Sequence, residues 1–108
     1  KTLPQINNRI PAETQNMDIV RRGMRTAVTA REGGAHSLDA LGLNLAAKTG
    51  TAEVGNGDNR YKNTWTIAYG PYDAPKFAVA CVIEHGDSGS KTTVPVVAEF
   101  LRQWLIAE

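Results

Sequence analysis

The sequence predicts an α+β fold: a three-stranded antiparallel meander flanked by an N-terminal helix and a C-terminal helix. Three observations predict it. Three short runs rich in β-branched, aromatic or apolar residues lie between Leu45 and Glu84. Only brief turns of Gly, Pro, Asn and Asp separate them, and connections that short imply antiparallel neighbours. On either side stands a stretch whose apolar residues recur at helical spacing. The 108 residues are one domain's length and can bury a core. The chain reads as a single segment, irregular over 1–15 and holding helix, strands and helix over 16–108.

Each element has a local reason. Pro4, Asn7, Asn8 and Pro11 predict an extended or irregular start. Asn16 is then a candidate N-cap. Met17, Val20, Met24, Ala27 and Val28 share one helical face, which predicts a helix over about 17–31. Arg21, Arg22 and Arg25 fall on the other side and read as a solvated face. Gly33-Gly34 is the expected stop, through the left-handed conformation open to glycine. Residues 35–43 carry no single period and are expected to hold a turn with a short helical stretch.

Leu45–Thr51 reads as the first strand, and Gly55-Asn56-Gly57-Asp58-Asn59 as a turn. Thr64–Gly70 is the second strand, where Trp65 and Tyr69 are expected to pack in the sheet core, the alternative being that they border a cleft. Pro71–Pro75 is a turn. Lys76–Glu84 is the third strand, and its unbroken apolar run predicts cover on both faces. His85–Ser90 is a polar loop. Val94–Ala107 closes the chain as a helix. Thr93 is its expected cap, Pro95 lies in its first turn, and Val97, Leu101, Trp104 and Leu105 form the expected buried stripe.

Composition narrows the function classes. The 12 Lys+Arg and 11 Asp+Glu leave a formal charge of +1. Such a balance gives no broad field to attract nucleic acid or an anionic membrane. No apolar run reaches the length needed to cross a bilayer. Cys81 is the single cysteine, which excludes an internal disulfide and multi-cysteine metal sites; it reads as a buried structural thiol. No cofactor or metal is implied. His36 and His85, with Asp39, Glu84 and Asp87 near them in sequence, show no ligand spacing and read as loop histidines. The chain opens on Lys1 rather than Met and is expected to be part of something longer.

Chemistry concentrates in Ala46-Ala47-Lys48-Thr49-Gly50-Thr51-Ala52-Glu53. A nucleotide loop is one reading of Gly42-Leu43-Asn44-Leu45-Ala46-Ala47-Lys48-Thr49. That loop needs glycine where Ala47 stands, and then a helix. The stronger match is Lys-Thr-Gly on a strand, followed by a second threonine, a glycine-rich turn and Asn63-Thr64-Trp65-Thr66-Ile67-Ala68-Tyr69-Gly70-Pro71. With the apolar strand and closing helix that follow, and Val20-Arg21-Arg22-Gly23-Met24 before it, this resembles the C-terminal part of a transpeptidase domain. The resemblance is to class B (monofunctional) penicillin-binding proteins, within the serine β-lactamase and penicillin-binding superfamily. It implies a partial β-lactamase/transpeptidase-like fold.

The resemblance also implies roles. Lys48, Thr49, Gly50 and Thr51 would form the substrate-binding strand, with Lys48 and Thr51 contributing to catalysis. Strand edges offer free backbone groups that can align an extended peptide or a β-lactam. The Thr51 N–H would be one oxyanion donor, and the Thr49 and Thr51 hydroxyls would meet the ligand's carboxylate. Lys48 would add positive charge. Gly50 would let another part of the site approach the backbone. The implied function is cross-linking of peptidoglycan stem peptides by a D,D-transpeptidase that also binds β-lactams, on the extracytoplasmic side of the membrane. Alternative readings are a noncatalytic β-lactam-sensing homologue and a small α+β interaction module.

The family's nucleophilic Ser-x-x-Lys precedes this strand, and none occurs before Lys48. Ser88-Gly89-Ser90-Lys91 has the spacing but follows the strand, in a loop that gives no reason to hold a base against a hydroxyl. Tyr61-Lys62-Asn63 imitates the second motif and also lies on the wrong side. The chain alone is therefore expected to be inactive. Its expected partners are the rest of the transpeptidase domain, carrying Ser-x-x-Lys, and a stem peptide or β-lactam. If the rest is missing, self-association through an exposed sheet edge is expected.

Overall fold

The computed structural model describes residues 2–106. Helix α1 spans Thr14–Thr29, strand β1 Ala46–Val54, β2 Tyr61–Gly70, β3 Phe77–Ile83 and helix α2 Val94–Leu101. A 3₁₀ turn over His36–Leu41 joins α1 to β1, and π-helical turns over Gly89–Thr93 and Arg102–Ile106 flank α2. The order matches the α+β expectation, and the sheet is antiparallel in the order β1-β2-β3. Ala107 of the expected closing helix lies outside the described residues.

Helix α1 starts two residues before Asn16. Glu13 holds extended backbone as the N-cap, without a side-chain cap bond. Its carbonyl accepts the N–H groups of Asn16 and Met17, both at 3.1 Å, so Asn16 is inside the first turn. The glycines end the helix by a different device from the one expected. Ala30 leaves in extended backbone, and neither Gly33 nor Gly34 has positive φ. Instead Gly33 passes so close beneath the helix end that a Cβ there would sit 2.2 Å from the Ala27 carbonyl oxygen.

The arginine face is also not wholly solvated. Arg25 is half-buried, and its Nη1 donates to the Leu45 carbonyl oxygen at 2.6 Å, tying α1 to the start of β1. Only part of the predicted stripe finds cover. Val28 is fully buried, while Val20 stays exposed.

Strands β1 and β2 pair from Ala46↔Tyr69 to Val54↔Tyr61, each three residues longer than predicted at the hairpin end. Gly55 and Gly57 close the hairpin with φ of 89° and 57°, a conformation that favours glycine. Cross-strand partners share a face. One face carries Ala47, Thr49, Thr51, Thr64, Thr66, Ala68, Val79 and Cys81 and lies under the α2 side of the molecule. The other carries Lys48, Gly50, Trp65, Ile67 and Val82.

That second face corrects two expectations. Strand β3 alternates between half-buried and exposed residues instead of being covered on both sides. Trp65 is 43% exposed rather than packed in the core. Among the described residues, Met24 of α1 approaches this face near Ile67, Tyr69, Ala78 and Ala80, leaving a hollow of about 350 Å³.

The last helical stretch begins earlier than predicted. Ser88, not Thr93, is its N-cap: Ser88 Oγ accepts the Lys91 N–H at 3.2 Å. Thr93 is buried in helical backbone. Val94, Val97 and Leu101 are buried, but Trp104 and Leu105 are exposed. The wider turn over Arg102–Ile106 changes the rotation per residue and breaks the predicted stripe. Trp104 stacks on Phe100 and meets Phe77 edge-on, with centroids 5.8 and 6.0 Å apart. The core unites Val28, Leu38, Leu45, Ala47, Ala68, Val94, Val97 and Leu101.

Candidate active site

Among the described residues, strand β1 has a hydrogen-bonding neighbour on one side only. Alternate backbone N–H and C=O groups along it therefore face away from β2. The Lys-Thr-Gly-Thr residues occupy its middle, opposite Ile67, Thr66, Trp65 and Thr64 respectively.

Their side chains divide between the two faces. Lys48 is exposed on the open face, and its Nζ donates to the Thr49 carbonyl oxygen at 2.5 Å. Gly50 shares that face; a Cβ there would meet nothing nearer than Trp65 Cβ at 3.7 Å. The space above Gly50 on this face is therefore open, while Gly89 comes close to the Gly50 nitrogen from the side of Thr49 and Thr51. Thr49 and Thr51 point to the other face. Thr49 is half-buried between Gly34 and Gly89: a Cβ on Gly34 would lie 2.9 Å from its Oγ1, and one on Gly89 2.8 Å from its Cβ. Thr51 is exposed, and its Oγ1 accepts the Gly89 N–H at 3.3 Å. The two threonines are thus not equivalent: Thr51 is exposed with its hydroxyl held by the Gly89 N–H, while the half-buried Thr49 side chain is hemmed in by glycine backbone.

Behind the strand, where the sequence predicts a polar loop, stands the turn over Gly89–Thr93. Thr93 Oγ1 donates to the Gly89 carbonyl oxygen at 3.0 Å and lies 2.6 Å from Thr66 Oγ1, both threonines being fully buried. The Asp87 N–H donates to Thr92 Oγ1 at 2.9 Å, and the Gly86 N–H to the Lys62 carbonyl at 2.9 Å. A signal for this turn was present in Ser88, a strong N-cap type, three residues before Lys91.

The other candidates settle into structural places. Gly42 ends the 3₁₀ turn with φ 69°, and a strand rather than a helix follows Lys48-Thr49, which overturns the nucleotide-loop reading. His36 Nδ1 donates to the Val28 carbonyl at 2.8 Å. His85 stacks on Tyr61 with centroids 4.0 Å apart. The Tyr61-Lys62-Asn63 segment is simply the start of β2. Glu53 and Arg60 form an ion pair across the hairpin. Tyr69 is half-buried, and its hydroxyl has no partner among the described residues. Burial first, and then Tyr72, push its pKa above the usual phenol value, while Arg21 opposes the shift.

Such an edge can receive an extended chain as an added strand. It would flank that chain with a cation at Lys48 and a hydroxyl at Thr51.

Comparisons with known proteins show the family and the fold. The family model described as penicillin binding protein transpeptidase domain matches residues 1–102. The chain is 30% identical over 101 residues to the peptidoglycan D,D-transpeptidase MrdA of Haemophilus influenzae, covering 82% of this chain and 16% of that protein. It superposes on the Pseudomonas aeruginosa PBP2 crystallised with WCK 5153 at a TM-score of 0.76 and 29% identity, over 95% of this chain and 23% of that one. On penicillin-binding protein 2B of Streptococcus pneumoniae the values are 0.69 and 25%, over 98% and 19%. The chain thus spans less than a quarter of each of these proteins.

Proposed function

Because the chain belongs to the penicillin-binding protein transpeptidase domain family, we propose that it supplies one wall of a D,D-transpeptidase active site, with β1 as the substrate strand. The observation that carries this reading is the place of Lys48-Thr49-Gly50-Thr51 on an edge strand, with Lys48 and Thr51 both exposed.

The ligand is a stem peptide ending in D-Ala-D-Ala, or a β-lactam that mimics it. Its extended backbone pairs with the free edge of β1. The Thr51 N–H stabilises the oxyanion that forms when a serine attacks the carbonyl. The Thr51 hydroxyl, with Thr49 beside it, takes the terminal carboxylate, and Lys48 supplies positive charge. Open space above Gly50 leaves room for the ligand or for the neighbouring motif. In the acylation step the serine oxygen bonds the carbonyl carbon, the C–N bond breaks, and the departing amine carries away the proton. The serine and its lysine come from a Ser-x-x-Lys outside these 108 residues, since Ser88 caps a helix. The rest of the domain covers the open face of Trp65, Ile67 and Val82, on the extracytoplasmic side of the membrane.

The test uses the full product of the source gene. Lys48→Ala should slow labelling by a fluorescent penicillin about a hundredfold, the scale of losing one preorganised charge-stabilising group, with an unchanged thermal midpoint. Labelling at the wild-type rate would overturn the role of β1. The 108-residue chain alone should not label; label at Ser88 would overturn the external nucleophile.

A further inference from the structure

The turn over Gly89–Thr93 touches the proposed substrate strand without belonging to it. A Cβ on Gly89 would fall 2.8 Å from both Thr49 Cβ and the Trp65 carbonyl oxygen, and 3.1 Å from the Gly50 nitrogen. Only glycine can lie this close to the backbone of β1 and β2.

The hydroxyls behind it have a fixed direction. A threonine hydroxyl has one proton and two lone pairs. The Gly89 carbonyl can only accept, so the Thr93 proton is spent on that 3.0 Å bond. In the 2.6 Å contact between Thr66 and Thr93 the donor is therefore Thr66. The chain runs Thr66 to Thr93 to the Gly89 carbonyl, inside a site where both side chains are fully buried. On the other side of Gly89, its N–H donates to Thr51 Oγ1. With one lone pair of Thr51 occupied from behind, its proton is free for an acceptor arriving from solvent. A carboxylate is the acceptor for which such a bond is strongest.

We propose that Gly89 and Thr93 are positioning residues for substrate recognition: they hold the Thr51 hydroxyl so that it donates outward, to the ligand's carboxylate. This inference rests on the reading of β1 as the substrate strand.

The experiment compares one β-lactam as its free acid and as its methyl ester, on the full gene product. Thr93→Val should slow acylation by the acid about tenfold, the scale of one misdirected bond to a charged group. Acylation by the ester, which lacks the carboxylate, should match the wild type. Thr93→Ser, which keeps the hydroxyl, should restore the acid rate. Equal losses on acid and ester, no loss on either, or no rescue by serine, would overturn the proposal. Lys48→Ala separates the two levels. If it slows labelling while Thr93→Val behaves as wild type, only the positioning role falls; if Lys48→Ala has no effect, the substrate strand falls and this inference with it. Should Thr93→Val fail to fold, hydrogen exchange of residues 86–93 in Thr51→Val provides the second measurement. Faster exchange there supports the Gly89–Thr51 bond, and unchanged exchange overturns it.

Discussion

Ser88 stands three residues before Lys91, the spacing of a nucleophile and its base. Yet its Oγ accepts the Lys91 backbone N–H, and the Lys91 ammonium lies 3.6 Å from Asp87. A spacing of three serves a helix cap as readily as a catalytic pair, and the bonds made here are those of a cap. Tyr69 poses a different question at the same scale. Its shielded hydroxyl lacks a partner among the described residues, and burial raises its pKa. The folded state therefore favours the neutral phenol. The sign follows: this contribution is fully present below the unfolded pKa of about 10 and is lost as pH rises through the higher folded value. Tyr69→Phe should flatten the alkaline fall in stability, measured by urea midpoints from pH 8 to 11. A fall as steep as in the wild type would rule Tyr69 out as its source.

At the scale of elements, Gly33 and Gly89 do related work. Each lets one backbone segment lie where a side chain would collide with another: Gly33 against the end of α1, Gly89 against β1 and β2. Gly33→Ala should cost about 1–3 kcal/mol, the range for forcing extra volume into a packed place, read from chemical unfolding. A loss below a few tenths would show that the loop can yield. The sequence pointed to both glycines, one as a helix stop and one inside an expected loop. It offered a left-handed cap as the reason for the first, which the backbone does not adopt, and no reason for the second, because close approach depends on segments distant in the chain. The same limit explains Arg25, whose partner at Leu45 is 20 residues away. It also explains Trp104 and Leu105, whose predicted stripe assumed an even α-helical turn.

At the scale of the whole molecule, the radius of gyration is 15.4 Å, against about 13 Å for a compact domain of this length. Residues 2–12 are exposed and lack regular secondary structure, and one sheet face is largely uncovered. Fully burying an apolar side chain is worth about 1.5–3 kcal/mol. Trp65, Ile67 and Val82 forgo much of that on one continuous surface. The neighbouring edge of β3 has no charge, proline or glycine over Phe77–Ile83, so it lacks the usual protection against pairing. The chain alone should associate at micromolar concentration in size-exclusion with light scattering. Val82→Lys should shift it toward monomer. A dilute, stable wild-type monomer would show that this surface is quiet.

Element order, antiparallel sense and the Lys-Thr-Gly strand could all be read from the chain, because each depends on neighbours a few residues apart: turn chemistry, helical spacing and strand alternation. Which faces are covered could not, since β3 looks the same from its own residues whether one or two layers lie over it. Nor could the inequality of Thr49 and Thr51, or the bond from Gly89 to Thr51. Those arise from contacts between residues 38 positions apart, and no local pattern encodes a distance that the packing of three elements sets.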